Sequence, residues 1–121
     1  VPDMPVALKR IYDQPDRDDG YRVLVDRLWP RGVSKDDAAI DEWVKQAAPS
    51  DELRKWFHAD ASRWGEFRNR YLSELKEHRE ALRPLARRAR QGPVTLVFTA
   101  RDEEHNNAVV MQQYLKMLGA G

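Results

Sequence analysis

Apolar positions fall into short continuous runs in the first quarter of the chain and into helical stripes later. Val6 to Tyr12 and Tyr21 to Trp29 are rich in β-branched and aromatic residues and predict two strands, parted by the turn-forming run Asp13-Gln-Pro-Asp-Arg-Asp-Asp-Gly20. A helical crossover needs about a dozen residues, so this shorter gap predicts either an antiparallel pair or an irregular link. Val23-Leu24-Val25 is continuous rather than alternating, the pattern of a central strand covered on both faces. Ala39 to Ala48 has no clean period and leans toward a strand.

Pro49-Ser50-Asp51-Glu52 opens a helix that runs to Phe57, with Ser50 as its cap and two acids at the positive end of its dipole. From Ser62 onward Trp64, Phe67, Tyr71, Leu75, His78, Leu82, Leu85 and Ala89 recur at steps of three and four, a single core-facing stripe. Pro84 removes a backbone donor and is expected to kink or divide that run near His78 to Arg83. Gln91-Gly92-Pro93 ends it. Val94 to Ala100 is the clearest buried strand. Glu104 to Leu118 is the closing helix, with Ala108, Met111, Tyr114, Leu115 and Leu118 on one face. The order predicts an α/β fold with a small, largely parallel sheet flanked by helices, a Rossmann-like three-layer sandwich.

The length of 121 residues suits one domain spanning 1–121. At 41% hydrophobic and 34% charged, with four Trp, the chain is too apolar and aromatic for a disordered tail. A net charge of +1 gives no bulk argument for nucleic acid or membrane, so any basic site must be local. The cations are biased, 15 Arg against 6 Lys, toward the side chain whose planar fork grips carboxylates and phosphates. The absence of Cys excludes disulfides, zinc-thiolate sites and thiolate nucleophiles. No stretch approaches about 18 apolar residues, and the opening VPDMPVALKR has no signal-peptide core, so a cytosolic protein is expected.

In parallel sheets, ligands bind outside the carboxyl ends of the strands, and two loops qualify. The first is Asp26-Arg-Leu-Trp-Pro-Arg-Gly-Val-Ser-Lys35; the second is Ala100-Arg-Asp-Glu-Glu-His-Asn-Asn107, which runs into a helix start. Arg27, Arg31 and Lys35 can clamp a phosphate or carboxylate, with Arg54 and Arg101 in reach and Asn106 or Asn107 offering amides. Asp26, Asp102 and His105 are the candidate acid–base groups. The structural alternative is that Arg27 and Arg31 pair with Asp26 and neighbouring acids, Trp29-Pro30 plugs the loop, and the asparagines cap a helix. His58-Ala59-Asp60 has metal-ligand spacing without a third ligand, so no metal and no cofactor is expected. Arg79, Arg83, Arg87, Arg88 and Arg90 form a helical stripe without interleaved aromatics, which reads as a solvated face before a nucleic-acid surface.

Arg22-Val-Leu-Val-Asp-Arg-Leu-Trp-Pro-Arg-Gly-Val-Ser-Lys35 resembles the YeaO-like family of bacterial proteins, a domain of unknown function. The likeness continues through Trp43, Ala48-Pro-Ser50, Leu53-Arg-Lys-Trp-Phe57, Arg63-Trp64, Phe67, Tyr71, Thr95-Leu-Val97, Arg101-Asp102 and His105-Asn-Asn-Ala108. It implies a compact α/β fold and brings no established reaction. The broader family is similar in carrying a Cys-His-Arg turn at the last helix. Here that turn reads Glu104-His105-Asn106, so the resemblance supports no cysteine chemistry. The sequence thus predicts a cleft for a small phosphorylated or carboxylated molecule. Two alternatives remain: a nucleic-acid accessory module using the basic loop and the Arg79–Arg90 face, and a protein-partner adaptor presenting Trp29 and Trp43.

Overall fold

The computed structural model describes residues 6–119. Its sheet has four strands, β1 (Val6–Arg10), β2 (Tyr21–Leu24), β3 (Glu42–Trp43) and β4 (Val94–Phe98), all parallel and in the order β1-β4-β2-β3. The first two predicted strands do not touch each other. β4, with all five residues buried, lies between them, so the link from β1 to β2 is an irregular crossover holding one 3-10 turn at Arg17–Asp19. The ambiguous segment yields only the two-residue β3, because Val44 turns away (φ −92°, ψ 56°) into a 3-10 turn at Lys45–Ala47.

Among the described residues there are five α-helices: α1 (Lys35–Ala38), α2 (Asp51–Ala59), α3 (Trp64–Glu77), α4 (Arg79–Gln91) and α5 (Asn107–Met117). Ser50 caps α2 as predicted, its hydroxyl accepting from Leu53 N–H at 3.2 Å. The long stripe divides at His78, whose backbone leaves the helical region (φ −106°, ψ 16°), while Pro84 stays inside α4. The break thus falls upstream of the proline, at the start of the expected interval His78 to Arg83. Phe67, Tyr71, Leu75, Leu82, Leu85 and Ala89 are buried along that stripe, and α5 covers β1 and β4 with Ala108, Met111, Tyr114 and Leu115. The closing helix begins three residues later than expected, because Asn106 rather than an earlier residue supplies its cap.

The two sheet faces are covered unequally. Helices and the main apolar cluster fill one face; on the other, Val97, Ile11 and Ala38 form a small second core with Trp29, Val33 and Ile40 packed against it. That second layer is α1 and the loop leading to it. Side chains alternate along a strand, so Lys9, Arg22 and Thr95 emerge on this thinly covered face beside Val97. Their polar groups close on Asp19. Arg22, 3% exposed, donates to Asp19 Oδ2 at 2.6 Å and to the carbonyls of Ala38 and Ala39; Lys9 pairs with Asp19 Oδ1 at 3.0 Å; Thr95 donates to the Asp19 carbonyl at 2.7 Å. Next to it Gly20 sits at φ +66°, where a Cβ would come 2.3 Å from the Pro93 carbonyl, so no side chain fits between β2 and β4 there.

Burial alone raises the Asp19 carboxyl, but hydrogen bonds from the Asp16 backbone, Lys9 and Arg22, with the Lys9 charge, outweigh it and hold the group below its ordinary value. A carboxylate depressed in the fold stabilises it above the unfolded pKa, and that contribution disappears as pH falls through the folded value. Unfolding free energy is therefore expected to be level down to about pH 5 and to decline below about pH 4. In Asp19→Asn the decline should be shallower and stability at neutral pH lower by about 3–5 kcal/mol, because Arg22 loses its buried partner. Urea titrations across pH check both.

Candidate functional site

The parallel order puts the ends of β2 and β4 side by side, and the two loops that follow them meet. Asp26 joins them. Its Oδ2 accepts from the Thr99 N–H at 2.9 Å and the Thr99 hydroxyl at 2.7 Å, and its Oδ1 accepts from the Asn107 amide at 3.0 Å. Asn107 also donates to the Val25 carbonyl at 3.0 Å, so one carboxylate and one amide tie β2, β4 and the start of α5 together.

Around this junction lies a cleft of about 330 Å³, lined by Asp26, Arg27, Leu28, Trp29, Pro30 and Arg31 from the first loop and by His105, Asn106 and Asn107 from the second. Arg54, Phe57 and His58 of α2, Phe67 of α3, Tyr12, Pro49, Thr99 and Ala100 complete the wall. Three of the predicted cations therefore converge. Arg27 Nε donates to the Pro49 carbonyl at 3.1 Å, which joins the loop to the approach of α2. Arg54 gives its Nη2 to Asp51 at 2.7 Å, yet its Nε is buried with no hydrogen-bond partner. Arg31 is exposed and forms no ion pair among the described residues. Neither Arg27 nor Arg31 pairs with Asp26, unlike the structural alternative, whereas Pro30 is buried as a plug.

Lys35 and Arg101 are exposed and do not line the cleft; nor does Asp102. Asp102 instead organises a turn, accepting from the N–H groups of Glu104 (2.9 Å) and His105 (3.1 Å) and meeting His105 Nδ1 at 3.0 Å. The Glu104 hydrogen bond, followed by that of His105, holds the Asp102 carboxyl below its ordinary value. His105 precedes the helix cap, not its first turn as the sequence suggested, and packs edge-on to Trp64 with centroids 5.2 Å apart. Both ends of the Asn106 amide are engaged, the oxygen by Val109 N–H and the nitrogen by the Asp102 carbonyl. Asp60 spends its carboxylate on Ser62, away from any ligand set with His58, and no group of three or more potential metal ligands occurs among the described residues.

Reasoning from sequence passed over Thr99 and the Ser50–Glu74 pair, in which both Glu74 oxygens take hydrogen bonds from Ser50 (2.8 and 2.7 Å) and fix α2 on α3. Only the three-dimensional pairing reveals these. Trp29 and Trp43 are half-buried, meet edge to face at 5.6 Å, and donate to the carbonyls of Val33 and Asp26 at 2.7 Å, so the indoles brace the first loop instead of projecting from it. On α4, Arg83 pairs with Glu80, and Arg88 lies 3.9 Å over the Tyr21 ring beside Gly92 and Pro93, at the amino end of the strands, away from the cleft. No helix among the described residues is long and apolar enough to cross a membrane.

The family model described as "Inactive DUF488-N3 subclade" matches residues 5–118. An uncharacterised protein of Escherichia coli K12, YeaO, is 45% identical over 95% of this chain and 100% of its own length. The uncharacterised protein Rv3073c of Mycobacterium tuberculosis H37Rv is 43% identical over 91% of this chain and 92% of its own. No solved structure matches significantly.

Replacing Asp26 by Asn keeps one acceptor and turns an amide N–H toward donors. The charged hydrogen bonds lost are each worth about 1.5–3 kcal/mol, so Asp26→Asn should lower unfolding free energy by about that amount and speed exchange of the Thr99 amide hydrogen. Denaturant titration and hydrogen exchange measure both.

Proposed function

Because the chain belongs to the inactive DUF488-N3 subclade, with YeaO among its relatives, we propose that it binds a small phosphorylated or carboxylated molecule in the cleft without transforming it. The observation that carries this is the convergence of Arg27, Arg31 and Arg54 on one cleft, with the buried Nε–H of Arg54 left without an acceptor behind its wall. Buried donors are nearly always paired, and an oxyanion satisfies a guanidinium better than any neutral group. The carboxylate best placed for chemistry, Asp26, is already held by three donors and serves the framework. The absence of Cys and the description of the subclade as inactive agree with binding.

Arg31→Ala and Arg54→Ala are each expected to weaken inorganic phosphate binding about tenfold or more while leaving the melting temperature nearly unchanged, as calorimetry and thermal denaturation will show. Unchanged affinity with a large loss of melting temperature would make these arginines loop anchors.

One observation favours catalysis as a second reading: Asp102 orients His105 on the cleft wall, the arrangement of a supported general base. On the binding account, neither the wild type nor His105→Gln hydrolyses p-nitrophenyl phosphate, and the variant keeps its phosphate affinity. Turnover by the wild type that drops by about 10² to 10⁴ in His105→Gln would establish the catalytic reading.

A further inference from the structure

Apolar surface is placed oddly for a cleft that serves only an inorganic anion. Among the described residues three large hydrophobic side chains are exposed, Tyr12 (52%), Leu28 (63%) and Met117 (64%), and two of them, Tyr12 and Leu28, line this one cleft. Scattered exposed apolar residues need no explanation, but a pair flanking a cationic recess does. Tyr12 is also propped rather than loose. Arg10 beneath it is locked onto the ends of β4, donating to the Ala100 carbonyl at 2.9 Å and the Thr99 carbonyl at 3.3 Å, and its guanidinium lies 5.2 Å from the Tyr12 ring. Deeper in, Phe57 stacks on Phe67 with centroids 4.3 Å apart, so the inner wall is aromatic as well.

Size and charge narrow the occupant. The volume of about 330 Å³ falls within the range of small-molecule pockets, about 300–1,000 Å³, and far exceeds what one inorganic oxyanion fills. Three guanidiniums line the wall with the carboxylate of Asp26, and Asp51 behind them pairs with Arg54 at 2.7 Å, which leaves one positive charge in excess. A phosphate monoester brings three acceptor oxygens to the three guanidiniums, where a carboxylate brings two.

We infer that the ligand is a phosphate monoester with a flat aromatic or heterocyclic body, its phosphate among Arg27, Arg31 and Arg54 and its ring at the mouth against Tyr12 and Leu28. This rests on the anion-binding reading above and specifies the other half of the ligand. The cations hold the charged end; the exposed apolar pair selects what is attached to it.

Calorimetric titration of the full chain with inorganic phosphate, ribose 5-phosphate, AMP and adenosine separates the parts. AMP should bind at least about tenfold more tightly than ribose 5-phosphate, from the stacking of one base on the mouth, and adenosine should bind far more weakly than AMP. Tyr12→Ala and Leu28→Ala, both at exposed positions, should abolish the preference for AMP while leaving the affinities for inorganic phosphate and ribose 5-phosphate unchanged. Arg54→Ala should weaken all three phosphates. Equal affinity for AMP and ribose 5-phosphate, or for AMP and adenosine, overturns the inference. In the first case the anion-binding reading survives. If none of the phosphates binds, that reading fails and takes the inference with it.

Discussion

The carboxylate of Asp26 is the constraint on which the site depends. Two parallel strands can run side by side and still release their following loops in different directions. Here Asp26, one residue past the Val25–Val97 backbone hydrogen bond, takes the Thr99 backbone and hydroxyl with one oxygen and the Asn107 amide with the other. That fixes where β2 ends relative to β4 and where α5 begins. Without it, the first loop has no fixed relation to the second, and Arg27 and Arg31 have no fixed relation to His105 and Asn106.

The unequal covering of the sheet explains why the first loop carries so much. One face is shielded by helices in the ordinary way. On the other, beside Ile11, it is residues 26–40 that deliver Arg27 and Arg31 and also cover Val97 with Trp29, Val33 and Ile40. Two indole N–H bonds brace it, and the Asp19–Arg22–Lys9 network seals the end it does not reach. Rigidity imposed for covering the sheet is available to the cleft, since cations on a braced loop lose less freedom on meeting a ligand than cations on a loose one.

Much of this was legible in the sequence, for reasons that differ by element. Helices announced themselves through period and caps: Ser50 and the stripe from Phe67 to Ala89 needed no tertiary information. The parallel sheet followed from the continuous apolar runs of β2 and β4, and the meeting of the two loops from both leaving the same end of the sheet, which brought Arg27 and Arg31 to the cleft beside Arg54 of α2 but not Lys35, Arg101 or Asp102. The family resemblance, read from Arg22 to Lys35 and beyond, is shown by the match over residues 5–118. What escaped was pairing at a distance. Nothing local marks Arg22 as a buried cation, Thr99 as the partner of Asp26, or Asn106 as a cap positioned past His105. In each case the partner lies in another element or the boundary depends on which side chain wins the cap.

The central claim is that the recess beside the Asp26 junction is an oxyanion site. It is tested most directly by a crystal structure of the protein soaked in phosphate. The account predicts phosphate within hydrogen-bond distance of the Arg54 guanidinium, with Arg27 and Arg31 closing on it and the Asp26–Thr99–Asn107 contacts unchanged. Phosphate found only along the Arg79–Arg90 face, or a cleft that stays free of it at saturating concentration, would contradict the account.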